Sequence, residues 1–405
     1  LSCGSRCSAN SLPQPRRVNL MPLRASPWLV RVLPLLTLAC LAGESAGVPS
    51  LECRRGVYTD PVAVPLCLAA GRLISLDDRR SGEELLQAAV VLRDSLRADT
   101  TIAAFYSASE LIRALQHVSD FYGTGQLADS ARFHRILDHV AVTMEYIRGN
   151  SIQWISGRAL PSRTPWLSWQ FYPNLGIFFR PVNTMQFLEY LLPRSTTPTD
   201  SIVQMSEHLY QYALWRNVDG RRFPIWEYDF TWNSGGVTVA APWVSGMAQG
   251  LALALFSEAY KRTGSPVWRA RTYEVLNSFY VSWDRGGVLL PDTSHGYWWE
   301  EFHPTVQVWN GSAWALLGLG YMSKIMGDPE LERLYARGVD ALKYYTPLYD
   351  TGHWTLYSRT QGYNSVAYNM LCVLIMDEFF SQNGDQWFKS TADRWRSYVP
   401  PPGVK

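Results

Sequence analysis

From residue 81 onward, apolar residues recur at three- and four-residue spacing in one segment after another, the period of helices with one buried face. Ser81-Gly82-Glu83-Glu84 reads as a capping box that opens a helix running to Arg97. Further helices are predicted over 102–122, stopping at Gly123, and over 130–148, stopping at Gly149. Residues 150–181 then lose the period and carry Trp154, Trp166, Trp169, Phe171, Tyr172, Phe178 and Phe179, with Arg180 among them. Loops of that length with that many rings tend to be functional. Helices follow over 182–192 and 199–215, then a hairpin-like stretch around Asn217-Val218-Asp219-Gly220. The rhythm repeats: helices over 243–262 and 266–281, a turn at Asp284-Arg285-Gly286-Gly287, helices over 309–326 and 329–345, a turn at Tyr349-Asp350-Thr351-Gly352, and helices over 364–380 and 386–398.

Helix pairs alternating with aromatic loops or short hairpins predict an all-α chain, with strands confined to the hairpins. The expected architecture is an α/α toroid: an incomplete barrel of antiparallel helix pairs with the loops gathered at one mouth. It is placed over 81–400, preceded by a linker over 48–80.

The first 47 residues change the picture of where the chain acts. Residues 1–20 read as an upstream segment before a start at Met21. Arg24 and Arg31, the apolar run 32–43 and the small residues after it resemble a secretory signal. The run is short for a membrane span, so export to the outside or the cell envelope is expected, with an uncleaved anchor through 32–43 as the alternative. Cys53 and Cys67 could pair in an oxidising compartment, Cys372 sits in an apolar run as a buried hydrophobe, and no metal-ligand spacing exists.

Charged residues make up 18% of the chain, against ~25% in ordinary domains, and the net charge is +2 with no basic run, which does not indicate a nucleic-acid partner. The 17 Trp and 22 Tyr either fill a large core or line a groove for a ring-shaped ligand such as a sugar.

Candidate chemistry centres on Tyr297-Trp298-Trp299-Glu300-Glu301-Phe302-His303-Pro304, two carboxylates inside a wall of rings. Burial among rings disfavours a carboxylate's charge and makes it a better base near neutral pH, while acidic residues also suit a helix start, the role that fits Glu300. His303 is a lone loop histidine without a ligand partner and reads as positioning or structural. Ser245 and Gln249 lie one turn apart and share a helix face, either toward sugar hydroxyls or toward loop backbone. Asn310-Gly311-Ser312 matches a glycosylation sequon or a helix cap.

Several pieces in order resemble the C-terminal domain of the D-glucuronyl C5-epimerase family: Pro242-Trp243-Val244-Ser245-Gly246-Met247-Ala248-Gln249-Gly250, Asp284 to Val288, Tyr297 to Pro304, Val308-Trp309-Asn310-Gly311, Leu334 to Gly338, Pro347 to Gly352, Tyr357, and Arg394 to Tyr398. The resemblance covers 235–400. It implies inversion at C5 of D-glucuronate to L-iduronate within a heparosan-like or other uronate-containing polysaccharide, with no metal and no cofactor. Residue by residue, it implies Glu301 as the base on one face, Tyr363 as the group on the other, and Tyr357 as a hydrogen-bond donor. The substrate side is then expected from Arg359, with Arg180 and Arg222 as weaker carboxylate clamps, and from Trp243, Gln249, Trp298, Trp299, Glu300, His303, Asn310 and Asn369. A homodimer is one assembly left open.

The chain departs from the animal enzymes at Phe302, where they have Tyr, and at Asn364 and Ala367, where they have histidines. Its 357–363 segment is also shorter, and helices stand at 80–215 where those enzymes have a β-rich domain. A uronate lyase begins with the same proton abstraction and remains an alternative. So does a hydrolase pairing Glu300 or Glu301 with Glu227, Asp229 or Asp292 across a glycosidic bond, and so does a glycan-binding module without chemistry.

Overall fold

A computed structural model describes residues 76–123, 130–149, 159–160, 166–189, 197–290, 295, 298–300 and 303–404. The expected signal or anchor, the linker up to residue 75, Cys53, Cys67, Tyr297, Asp292, Glu301 and Phe302 lie outside the described residues. Within them the chain is mostly helical with short strands, as the periodicity predicts. No described helix is long and apolar enough to cross a membrane.

Three helices come first: α1 (Leu76–Ala98), α2 (Ile102–Gly123) and α3 (Ser130–Arg148). They bury Leu86, Leu111, Leu115, Val118, Phe133, Ile136 and Val140 against one another. Ser81 does not cap α1, which begins five positions earlier and runs through the Ser-Gly-Glu-Glu segment. A local cap signal is overridden when the preceding residues continue the helix.

Strands β1 (Ala159–Leu160), β2 (Trp169–Tyr172) and β3 (Gly176–Phe179) form an antiparallel sheet in the order β1-β2-β3. Trp169 faces Phe179 across it, and both rings are buried. Helices α4 (Pro181–Glu189) and α5 (Thr199–Gln211) follow. The helix expected to reach Trp215 stops earlier because Leu214–Val218 forms β4, paired with β5 (Arg221–Ile225) through a turn at Asp219 (φ 51°) and Gly220 (φ 77°). Short apolar runs do not distinguish a helix end from a strand by period alone.

Strand β6 (Glu227–Tyr228) pairs with β9 (Trp243–Val244), and between them lies the hairpin β7 (Trp232–Ser234) and β8 (Val237–Val239). Trp243 and Val244, expected to open a helix, are strand residues. Ser245 is the N-cap of α6 (Gly246–Thr263), its hydroxyl oxygen accepting the Ala248 amide at 3.1 Å.

The rest is helix pairs: α6 with α7 (Pro266–Leu276), α8 (Trp309–Met326) with α9 (Pro329–Tyr345), and α10 (Val366–Asn383) with α11 (Gln386–Arg396). Proline at the first turn of α7 and α9, and left-handed glycines ending α6, α8 and α10, set these boundaries; α7 stops at Leu276, short of the expected 281, and α10 runs on to Asn383, past the expected 380. Helix α6 also packs directly on α8.

Two buried polar clusters tie the chain together. Glu227, fully buried, is held by Arg132 of α3 (3.0 and 2.8 Å) and by Arg216 of β4 (2.6 Å). Asp350, at the turn before the 351–363 segment, accepts from the Tyr398 hydroxyl (2.6 Å), Trp395 Nε1 (2.8 Å), Arg394 (2.7 Å) and the Gly352 amide (2.9 Å). Burial raises the Asp350 carboxyl, but these donors outweigh it and hold it below the usual range. A lowered folded pKa contributes stability that is present above the unfolded value of about 4 and is lost as pH falls through the folded value. Asp350→Asn is therefore expected to cost about 2 kcal/mol at neutral pH. Urea unfolding should show the gap to native closing as pH drops below about 4; an equal gap at all pH values would contradict this role.

Candidate active site

A cavity of about 210 Å³ opens where β2, the start of α4, β6, β7 and β9 meet the start of α8, Tyr357 and α10. Four residues singled out in the sequence line it together: Arg180, Trp243, Asn310 and Tyr357. Residues far apart in sequence are brought there by the sheet–helix junctions, Arg180 following β3 directly and Asn310 lying in the first turn of α8.

The wall is aromatic. Tyr228 stacks on Trp243 with centroids 3.9 Å apart and planes within 5°. Phe230 meets both edge-on, at 5.8 and 5.9 Å, and tilts onto Tyr172 at 4.8 Å. Tyr357 meets Tyr368 of α10 edge-on at 5.4 Å. Such rings exclude water and strengthen any charge–charge contact made among them.

Two polar atoms in this wall lack a partner. Asn310 is 8% exposed, and its Oδ1 is buried with no hydrogen bond. The Arg180 guanidinium lies 5.8 Å from the Tyr172 ring and donates through Nη1 to Gln170, while its Nε is buried without an acceptor. Burial pushes the Tyr172 phenol up; the Arg180 charge pulls it back and Tyr368 adds to the rise. A buried acceptor and a buried cationic donor left unmatched at one cavity suit a ligand that supplies both a hydroxyl and an anion. Asn310, buried inside the first turn of α8 behind the N-cap Val308, is neither a cap nor a surface glycosylation site.

The other expected residues are placed elsewhere. Glu300 is fully buried; its amide donates to Val288 O (2.9 Å), its carbonyl accepts the Gly246 amide (2.8 Å), and its carboxylate accepts Trp298 Nε1 and the Val308 amide, both at 3.4 Å. It stitches the 298–300 segment to the starts of α6 and α8, and it is not itself in the first turn of a helix as the sequence suggested, since α8 begins only at Trp309. Its charge, after burial, helps keep the Tyr349 phenol well above its ordinary value. Trp299 is sealed in the core and donates to Phe279 O at 3.1 Å, and Trp298 is equally buried. Gln249 donates to Pro224 O of β5 and to Ser278 Oγ, both at 3.0 Å, so it is satisfied in the interior and does not line the cavity. Asn369 is buried between Thr355 (2.7 Å) and Trp395 O (3.4 Å).

Arg359, favoured as the carboxylate clamp, is exposed and donates to Gln307 Oε1 at 3.1 Å, outside the cavity wall. Arg222 lies 3.5 Å over the Trp215 ring beside Glu274, also outside. His303 meets Trp283 edge-on at 5.0 Å in a neighbouring cavity of about 370 Å³ that shares Trp243 with the first. Burial lowers its pKa.

Tyr363 is 44% exposed, pairs with Leu356 across a bridge, and hydrogen-bonds His353 at 2.9 Å; it is not part of the cavity wall. The 357–363 turn is fixed from the side by Gln361, which donates to Ser234 at the tip of the β7–β8 hairpin. Glu301 lies outside the described residues.

Two carboxylates named for a hydrolase are committed elsewhere. Glu227 is clamped by Arg132 and Arg216. Asp229 is buried against His139 (3.2 Å) and Arg135 (3.9 Å), which outweigh its burial and hold its pKa low. Neither lines the cavity, and both are tied into buried ion pairs instead of standing across an open space from a second carboxyl.

Sequence reasoning missed Gln186, Tyr228, Met247 and Tyr368 in the wall. Tyr228 of β6 alternates with Trp226 and Phe230 on either side of the strand, a run of rings that marks a lining only once its pairing with Trp243 is known.

Residues 220–397 match the family model described as the D-glucuronyl C5-epimerase C-terminus. The D-glucuronyl C5-epimerase of Caenorhabditis elegans is 29% identical over 179 residues, covering 39% of this chain and 29% of that protein. An uncharacterized protein of Methanocaldococcus jannaschii is 25% identical over 179 residues, covering 43% of this chain and 58% of that protein. The chain thus spans less than two thirds of the length of either relative. The motifs from Pro242 to Ser397 fall within the matched span, and this stretch of the chain is similar to the C-terminal domain of the D-glucuronyl C5-epimerase family.

Proposed function

We propose that the protein is a polysaccharide uronate C5-epimerase that turns D-glucuronate residues into L-iduronate in a heparosan-like or other uronate glycan. The observation that carries the reading is the aromatic cavity whose wall brings Arg180, Asn310 and Tyr357 together, the first two each with a buried polar atom left unpaired. Arg180 takes the uronate carboxylate, Asn310 accepts a ring hydroxyl, and Tyr357 donates to the carboxylate as charge grows on it. The C5 hydrogen is a very weak acid, and donors aimed at the enolate lower the barrier to removing it. Glu301 takes the C5 proton from one face, and the electron pair moves into the carboxylate. The resemblance assigns Tyr363, which stands outside the cavity wall, the return of its hydroxyl proton to C5 from the other face. Helix pairs closing into a toroid with this cavity at the mouth, and export through residues 21–47, complete the proposal.

NMR of heparosan incubated with the protein in heavy water tests it. Deuterium entering at C5 of an intact chain, with iduronate signals, is the expected result. An unsaturated uronate end would mean a lyase, and no exchange on any uronate polymer would favour a binding module. Tyr357→Phe is expected to lower the exchange rate about 100-fold, the cost of one donor to a developing oxyanion. A native rate would remove Tyr357 from the site.

A further inference from the structure

We propose that His353 is the positioning residue that holds and accepts the Tyr363 proton, an inference that rests on the epimerase reading above. The contacts of His353 Nδ1 fix the tautomer of its ring. His353 Nδ1 lies 3.2 Å from the Thr351 carbonyl oxygen and 3.3 Å from the Thr351 hydroxyl. The carbonyl can only accept. The hydroxyl donates its own proton to Trp354 O at 2.7 Å, so toward His353 it too is an acceptor. Both contacts therefore require a proton on Nδ1, which leaves the lone pair on Nε2. Nε2 lies 2.9 Å from the Tyr363 hydroxyl, which donates to it, and the two rings stand edge-on at 5.6 Å. Asp350, three positions earlier, is turned onto Arg394, Trp395 and Tyr398 and does not compete for the imidazole.

This is the arrangement of a nucleophile or base activated by a neighbour, with a third group orienting that neighbour. When Tyr363 acts as the base, its oxygen takes the C5 proton as its own hydroxyl proton passes to His353 Nε2. The electron pair of the broken C–H bond enters the uronate carboxylate, and Glu301 supplies the proton on the opposite face. In the other direction the imidazolium returns its proton to the Tyr363 oxygen as Tyr363 protonates C5. No charge is created on an isolated phenolate in either direction.

His353 is exposed, so replacing it leaves the core intact. C5 exchange on heparosan in heavy water is measured for His353→Gln, Tyr363→Phe and the double variant. The expected result is a fall in kcat of roughly 30-fold for His353→Gln with KM unchanged, and of roughly 1000-fold for Tyr363→Phe. The double variant should be no slower than Tyr363→Phe, because the histidine acts only through that hydroxyl. A native kcat in His353→Gln, or the same fold-loss for His353→Gln with and without the Tyr363 hydroxyl, overturns the proposal. Nitrogen-15 NMR of the imidazole reads the pairing without turnover: an Nδ1–H ring that loses its bias in Tyr363→Phe is expected. A ring without that bias overturns the pairing and leaves the epimerase reading standing. A native protein that exchanges no C5 proton on any uronan overturns that reading and, with it, the role given to His353.

Discussion

Arg180→Met is expected to lower kcat/KM for C5 exchange about 100-fold, with Arg180→Lys between it and the native protein. The size follows from losing a charge-assisted donor to an anion within an aromatic wall, where the enolate gains charge as the proton leaves. Lysine keeps the charge and loses the fork, hence the intermediate value. Arg359→Met is the control that decides between two guanidinium groups. Arg359 donates to Gln307 in the open, whereas Arg180 lines the cavity, so Arg359→Met should change kcat/KM by less than about 3-fold. A thermal melt near the native one for Arg180→Met would separate lost binding from lost folding, since the change also removes the bond to Gln170. A larger loss at Arg359 than at Arg180 would move the carboxylate clamp to the exposed rim.

The choice between those arginines also shows what sequence can and cannot carry. Sequence placed Arg359 close to Tyr357 and so favoured it, whereas Arg180 stands far away along the chain and reaches Tyr357 only through the β2–β3 sheet and α4. Proximity along the chain is a poor guide to proximity in a fold assembled from non-adjacent hairpins. Helices α8 and α9 were legible residue for residue because proline, glycine and an N-cap aspartate punctuate them. The end of α5 was not, because Leu214 and Trp215 suit a strand paired with Ile225 and Pro224 as well as they suit a helix.

The aromatic site was legible in kind, and the side each ring faces was not. Trp243 lines the cavity while Trp299, equally aromatic and equally near a motif, donates to Phe279 and fills the core. Gln249 shows the same limit. Spacing from Ser245 put it on one helix face correctly, but only packing shows that this face looks inward onto Pro224 and Ser278.

Gly318→Ala is expected to destabilise the protein by about 3 kcal/mol, against a helix-propensity gain of about 1 kcal/mol that the same change gives at an open position. Sterics decide the sign. Gly318 of α8 lies against Gly250 of α6 so closely that a Cβ there would sit 1.9 Å from the Gly250 carbonyl oxygen and 2.5 Å from its carbon. A Cβ on Gly250 would likewise meet the Ala315 backbone at 2.4 Å. The obstacles are backbone atoms of two buried helices, so neither side can yield by changing a rotamer, and the helices must move apart. That separation reaches the cavity, because α6 carries Met247 and α8 carries Asn310, both in its wall. Widening the crossing draws Asn310 Oδ1 away from the Trp243 wall, and displacements of about 1 Å can cost 100-fold in rate. Urea unfolding should therefore show a lower midpoint, and exchange measured well below that midpoint should still be slow. A native midpoint would mean that the two helices cross less closely than this packing requires, and a lowered midpoint with a native exchange rate would mean that the crossing supports the fold without setting the distance between Asn310 and Trp243.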